Sequence, residues 1–166
     1  MPLRQIIQAS PETLSDMLLA AEDRYRDAEE LLAQRRFDGC VYLLGFAAEM
    51  WLKAVCMRLR GLTPADQVMS ALAALRKRMK QIAPGVLFTD YHDLLFYVRC
   101  IEALRADLNR PLPPDVQREL HTRMVSRLYD EWIVDMRYRR SGVTERKAWQ
   151  SLDSAWWIKS NWIQFL

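Results

Sequence analysis

Four ionisable side chains are spaced so that they can meet in one site. Glu49 and Lys53 lie four residues apart in an apolar, helix-periodic run, where they can form an ion pair along the helix. His92 and Asp93 stand near the start of another predicted helix. One interpretation is a cleft to which all four contribute, with His92 beside the ion pair. The alternatives are a solvated strip for the ion pair, a capping or packing role for His92 and a helix-dipole role for Asp93.

A short basic segment, residues 137–147, is the other candidate for binding chemistry. It holds five cations against one glutamate, a local charge of +4 in a chain whose total is +3. Guanidinium groups bind phosphate through paired hydrogen bonds, and an interleaved tyrosine can stack on a base. We predict that Arg137, Arg139 and Arg140 bind the phosphates of a nucleotide or RNA and that Tyr138 stacks on a base. The alternative is a solvated helix end that is paired with neighbouring acids.

Other catalytic and metal-binding patterns are missing from the sequence. His92 and His121 are the only histidines, too few for a metal-dependent phosphohydrolase site, and no Glu-x-x-His pair occurs. The five glycines form no phosphate-binding loop. The three cysteines lie in apolar helical patterns without C-x-x-C spacing, which predicts reduced core residues. We therefore predict neither a metal nor a cofactor.

Helical periodicity runs through most of the chain, and no stretch shows convincing strand alternation. The apolar run 35–61 predicts a central core helix, antiparallel to the helix before it, with close approach at Gly39, Gly45, Ala47 and Ala48. The pattern predicts an all-α bundle of four long helices plus one or two shorter ones, forming a single domain over residues 1–166. The predicted helices are 10–33, 37–61, 63–82, 89–108, 115–137 and 144–164.

Four of the six tryptophans lie in the last predicted helix, at positions 149, 156, 157 and 162. Adjacent helical residues diverge by about 100°, so Trp156 and Trp157 cannot both point into one core. A homodimer contact is one explanation, and packing under the proline-rich loop 111–114 is the other. No uninterrupted apolar run reaches the roughly 18 residues that span a bilayer, and no signal-peptide pattern opens the chain. We therefore expect a cytoplasmic protein that does not enter a membrane.

Three segments together resemble HEPN domains, the nucleotide-binding domains of higher eukaryotes and prokaryotes. Residues 28–54, AEELLAQRRFDGCVYLLGFAAEMWLKA, are similar to the family's helical hairpin with an aromatic-aspartate turn and a Glu followed by a Lys four residues later. His92-Asp93-Leu94 resembles a downstream HDL segment, and residues 132–138, WIVDMRY, resemble the segment before the final helix. The resemblance implies a helical bundle, commonly a homodimer, that binds nucleotide or nucleic acid or partners a minimal nucleotidyltransferase.

One departure from the family concerns chemistry. Many HEPN domains are metal-independent ribonucleases, frequently toxins, whose motif is an Arg followed four to six residues later by a His; here no His follows Arg137 within that reach. RNA cleavage by general acid-base catalysis would lack its usual proton carrier. We therefore expect a non-catalytic, HEPN-like binding protein, within a toxin-antitoxin or nucleotidyltransferase-associated system. The alternatives are a protein-interaction subunit of a nucleotidyltransferase and a ribonuclease with a divergent site at His92 or His121.

Overall fold

The computed structural model of this protein describes residues 12–86, 92–138 and 142–166, with all their side chains except those of Val125, Arg137 and Tyr138. Within these ranges the backbone forms six α-helices and no β-strand, which confirms the predicted all-α helical class. The helices are α1 (Leu14–Ala33), α2 (Phe37–Leu59), α3 (Val68–Ile82), α4 (Leu94–Asp107), α5 (Pro114–Arg123) and α6 (Glu145–Asn161). A π-helical segment (Met124–Tyr129) continues α5, and two 3₁₀ segments (Val134–Tyr138 and Trp162–Phe165) lie before and after α6.

Helix α2 is the centre of the bundle, as its periodicity predicted. It packs against α1, α4 and α6, and is buried along most of its length. A helix that is apolar on nearly all sides needs such an interior position. By length and hydropathy α2 could cross a membrane, but 72% of its most apolar window is buried inside the bundle. The cysteines Cys40, Cys56 and Cys100 are free and buried, and burial raises the pKa of the Cys40 thiol to about 12.

The α1–α2 hairpin turns at Arg35, which takes up a left-handed backbone conformation with φ of 60°. Gly39 lies against α1, because a Cβ there would be 3.1 Å from Leu31 Cδ1. Gly45 serves a different contact from the one predicted. Its open side faces the ring of Trp132 rather than α1, and a Cβ would lie 2.2 Å from that ring. The glycine therefore admits an aromatic side chain from a distant part of the chain.

Two helices begin later than the sequence predicted. Helix α1 begins at Leu14 with a Thr13 capping box; the predicted start at Ser10 and Pro11 lies outside the described residues. Helix α3 begins at Val68 instead of residues 63–64. The reason is that residues 63–67 run beside the start of α1, where the Leu14 and Ser15 N–H groups donate to backbone carbonyls of this segment. These bonds satisfy donors that a helix start leaves open.

The fourth and fifth predicted helices also differ from the observed ones. Helix α4 is capped by Asp93, whose Oδ1 accepts from Phe96 N at 3.0 Å; the predicted caps at 89–90 lie outside the described residues. His92 therefore precedes this helix, contrary to its predicted place inside it. The predicted helix 115–137 is interrupted: α5 changes to π-helix at Met124, and the path breaks again before Val134. The second break lets Trp132 leave the helical path and reach α2.

Candidate functional site

Three of the four predicted cleft residues form one hydrogen-bonded cluster. Glu49 is 2% exposed, and its carboxylate accepts from the Lys53 ammonium on the next turn of α2. The other carboxylate oxygen, Oε2, lies 2.8 Å from Nδ1 of His92. Both oxygens of the Glu49 carboxylate are therefore hydrogen-bonded, one to Lys53 and the other to His92. The solvated-strip interpretation of Glu49 and Lys53 is wrong, since both side chains are buried.

The surroundings of Glu49 and Lys53 explain how their charges can remain buried. Removing an ion pair from water costs several kcal/mol per ion unless the remaining hydrogen-bonding positions are filled. Lys53 Nζ also lies over the ring of Tyr97 on α4, 5.4 Å from its centroid, where the ring quadrupole favours a cation. Asp93, the fourth predicted residue, caps α4 beside His92 and so fixes where that helix begins. The cluster is thus built at the junction of α2 and the start of α4.

The hydrogen bond from His92 to Glu49 sets the tautomer of the imidazole. A carboxylate paired with an ammonium group accepts hydrogen bonds and has no proton to donate, so Nδ1 carries the hydrogen. In the neutral ring, Nε2 is then an acceptor with a lone pair. The His92 side chain is 37% exposed, so the ring is reachable from solvent while the carboxylate that orients it is not.

A pocket of about 380 Å³ opens beside this histidine. It is lined by His92, Asp93, Tyr129, Asp130, Trp132, Ile133 and Val134. Its size falls within the range of small-ligand sites, about 300–1,000 Å³. Residues 129–134 belong to the interrupted end of the predicted fifth helix, so the break in that helix provides most of the wall.

Aromatic packing holds that wall in place. The ring of Phe46 makes edge contacts with the rings of Tyr42, His92 and Trp132, at centroid distances of 4.9, 5.7 and 5.3 Å. The indole N–H of Trp132 donates to the Tyr42 carbonyl at 3.0 Å, and its ring covers Gly45. The pocket wall is thereby anchored to α2, the same helix that carries Glu49 and Lys53.

No family model matches this chain, and no curated protein or solved structure is detectably similar to it. The resemblance to HEPN domains therefore stays a prediction.

The predicted basic site lies largely beyond what the structure describes. Arg137 and Tyr138 are described only by their backbone, in the 3₁₀ segment Val134–Tyr138, and Arg139 and Arg140 lie outside the described residues. Of the neighbouring cations, Lys147 is paired with Glu131 at 2.7 Å. The segment's own acid, Glu145, pairs with Arg35 at 3.2 Å. The local positive charge is therefore partly neutralised at Lys147, and the binding role of the arginines stays a prediction.

A second histidine–glutamate pair was missed in the sequence. His121 Nε2 lies 2.7 Å from Glu102 Oε1, and the Gln117 amide donates to the same oxygen at 2.7 Å. A pocket of about 450 Å³ adjoins it, lined by Pro114, Gln117, Arg118, His121, Thr122 and Ser126. The four-residue spacing of Gln117 and His121, one face of α5, was the signal that could have indicated a shared partner. Across the described ranges, no group of three or more His, Cys, Asp or Glu side chains could hold a metal ion.

The tryptophans of α6 divide between surface and interior. Trp156 is 53% exposed and Trp149 is 55% exposed, seven residues apart and so on one face of the helix. Trp157 is half-buried, and its ring contacts Phe165 and the guanidinium of Arg123. The expectation that Trp156 and Trp157 point to different surroundings is confirmed. The predicted homodimer contact at Trp149 and Trp156 stays a prediction.

Proposed function

We propose that this protein is a HEPN-like binding protein that engages a nucleotide or RNA without cleaving it. The observation that carries the proposal is the Glu49–Lys53–His92 cluster, which fixes the His92 ring at the edge of a small aromatic pocket. The predicted phosphate-binding segment follows the pocket wall along the chain. Tyr129 on the pocket wall is 37% exposed and offers a ring on which a base can stack. The resemblance of the α1–α2 hairpin to the HEPN signature supports the same class of ligand.

The basic segment begins close to this pocket along the chain. Val134 lines the pocket and opens the 3₁₀ segment that includes Arg137. A 3₁₀ helix rises about 2 Å per residue, so the backbone of Arg137 lies roughly 6 Å along the axis from that of Val134. A base in the pocket would therefore have its phosphate close to the point at which the basic segment begins. In this arrangement the base would occupy the pocket and the phosphates would bind the basic segment.

Cleavage is not expected from the groups that surround the pocket. Strand scission by acid-base catalysis uses one group to take a proton and another to give one. His92 offers a single ring nitrogen, because Nδ1 is bonded to Glu49. Lys53 is 10% exposed and held by the same carboxylate, so it is withdrawn from the pocket. Proton transfer there would fall to His92 and the Asp130 carboxylate, a pair that is not the Arg-x(4-6)-His motif of the nuclease members. We accordingly propose a cytoplasmic binding protein of a toxin-antitoxin or nucleotidyltransferase-associated system, and not a nuclease.

Salt-dependent RNA binding tests this function. Wild type and Arg137→Ala/Arg139→Ala/Arg140→Ala are titrated with a labelled single-stranded RNA at about 50 and 200 mM salt. Loss of three phosphate contacts should weaken binding and lower the slope of log K against log salt by about 2. A charge-matched control, Lys77→Ala/Lys80→Ala/Arg110→Ala, removes three exposed cations elsewhere and should change the slope much less. Absent binding, or equal effects of the two triple variants, would contradict the proposal.

Nuclease activity is tested separately on the same preparations. Purified wild type, His92→Ala and His121→Ala are each incubated with the RNA in the presence of a chelator, and the products are separated on a gel. We expect intact RNA in all three samples. Cleavage by wild type that disappears in one histidine variant would establish the ribonuclease alternative and identify its residue.

The exposed tryptophans favour a second candidate function, protein–protein contact. Trp149 and Trp156 place two half-exposed indoles on one face of α6, and tryptophan is enriched at protein interfaces. We propose that this face makes the homodimer contact or receives a nucleotidyltransferase partner. Light scattering of wild type and Trp149→Ser/Trp156→Ser measures the first option, and co-purification with the product of a neighbouring nucleotidyltransferase gene measures the second. An unchanged molar mass and no co-purification would reject this role for the face.

A further inference from the structure

The pocket beside His92 offers hydrogen-bond acceptors and few donors. Asp130 contributes a carboxylate from an exposed position on the wall, and His92 contributes Nε2 as an acceptor in its neutral form. The one indole on the wall, that of Trp132, has its N–H committed to the Tyr42 carbonyl. Among the lining side chains, only the Tyr129 hydroxyl combines an acceptor with a donor in the neutral state.

The position of the acceptor on His92 does not depend on the ligand. Glu49 is buried and fixed by Lys53, so it holds Nδ1–H before any ligand arrives. Flipping the ring to present a donor would break that bond and leave a buried carboxylate oxygen without its partner, which is unfavourable. While the imidazole is neutral, the pocket is therefore preorganised to accept a hydrogen bond at this point.

The other walls suit a flat, mostly apolar body. Tyr129 is 37% exposed and Ile133 is 55% exposed, and both line the cavity with Val134 and the Trp132 ring. A volume of about 380 Å³ admits a single heterocycle and excludes a base-paired helix. Phosphate groups are disfavoured inside, because the carboxylates of Asp93 and Asp130 share their sign.

We propose that this pocket selects nucleobases that carry an exocyclic amino group over those that present a carbonyl in its place. The selection rests on the proposed function and specifies which bases that site takes. The amino group of cytosine or adenine would donate to His92 Nε2 and to the Asp130 carboxylate, as amino groups do to acidic side chains in nucleic-acid recognition. Uracil and hypoxanthine would bring an oxygen against these acceptors. The single ring N–H that they carry beside that oxygen, N3–H or N1–H, can satisfy only one of the two acceptors.

Two matched ligand pairs test the selection by competition against labelled RNA. Cytidine monophosphate is compared with uridine monophosphate, and adenosine monophosphate with inosine monophosphate. Each pair has the same sugar and phosphate and differs only on one edge of the base, where a carbonyl replaces the amino group and the adjacent ring nitrogen gains a hydrogen. We expect the amino-bearing member to bind at least about fivefold more tightly, because its two amino hydrogens can satisfy both acceptors and the carbonyl member leaves one of them without a donor.

Three variants assign the preference to the pocket. Asp130→Asn replaces an exposed carboxylate with an amide that can also donate, so the preference should fall while the fold is retained. His92→Gln removes the oriented imidazole and should lower the preference independently. Asp135→Asn makes the same charge change at an exposed residue outside the pocket lining and should leave the preference intact.

The outcomes separate this inference from the proposed function. RNA binding with the expected salt slope but equal affinity within both ligand pairs would overturn the base selection and leave the proposed function standing. A preference that survives both Asp130→Asn and His92→Gln, or that Asp135→Asn reduces as much, would also overturn it. No RNA binding at all would reject the proposed function itself.

Discussion

The protein contains two histidine–glutamate pairs of almost equal length whose surroundings differ. His92 lies 2.8 Å from Glu49 and His121 lies 2.7 Å from Glu102. The glutamates are 2% and 23% exposed, respectively, whereas the histidines are similarly exposed at 37% and 42%. The distance alone therefore does not distinguish the pairs. The burial of the carboxylate does distinguish them, because breaking a buried ion pair destabilises the fold far more than breaking an exposed one.

Among the residues that the structure describes, the pairs also leave different ring nitrogens without a partner. Glu49 engages Nδ1 of His92, so the unused nitrogen is Nε2, at the far end of the ring from the backbone. Glu102 engages Nε2 of His121 and leaves Nδ1, which lies next to the residue's own main chain. Only the first arrangement presents the tip of the imidazole to a ligand. The second arrangement suits a surface link between α4 and α5, to which Gln117 also contributes.

The largest expected effect comes from neutralising the buried glutamate. Glu49→Gln would leave the Lys53 ammonium buried without its counter-charge, and we expect a loss of about 3–5 kcal/mol in the free energy of unfolding. The matched change Glu102→Gln, at the exposed pair, should cost less than about 1 kcal/mol. Urea unfolding of both variants, followed by circular dichroism, measures the difference. Similar losses for the two variants would show that burial does not distinguish the pairs.

A second prediction concerns the wall of the pocket beside the first pair, which Trp132 anchors to α2. Gly45→Ala would place a Cβ 2.2 Å from the Trp132 ring, so the ring must leave its place on α2. We expect a net loss of about 1–3 kcal/mol in the free energy of unfolding from overpacking. Gly85→Ala is the control, because a Cβ there meets nothing within 4 Å and the substitution should be neutral or slightly stabilising. The changed environment of Trp132 should also alter the near-ultraviolet circular dichroism of Gly45→Ala alone.

Local periodicity was enough to predict the central helix and the ion pair within it. Glu49 and Lys53 share one helix, and a four-residue spacing fixes their separation whatever else the chain does. The position of His92 beside them was one of two interpretations of that residue, and the structure shows the contact across 43 residues. Its place before α4 was not foreseen, because the caps at residues 89–90 offered the same local chemistry as Asp93.

The break in the predicted fifth helix could not be predicted from local periodicity. Val116, Leu120, Leu128 and Trp132 keep a helical period along the sequence, and no glycine or proline marks a break after Pro114. The break is favoured by contacts far away in the chain, since Trp132 packs on Gly45 and bonds to the Tyr42 carbonyl 90 residues earlier. Such tertiary contacts override local propensity and leave no local signal. The pocket formed by residues 129–134 was unpredictable for the same reason.

The smallest expected effect comes from removing each histidine. His92→Ala leaves Glu49 buried with Lys53 as its partner and one oxygen unpaired, which should lower the free energy of unfolding by about 1–3 kcal/mol, near the lower end because the site is open to water. His121→Ala leaves Glu102 accessible to water and still bonded to Gln117, so the loss should be below about 0.5 kcal/mol. Paired urea titrations of these variants measure both values. A larger loss for His121→Ala would show that the exposed pair contributes more to stability than the buried one. It would also remove the reason for assigning a ligand-binding role to His92.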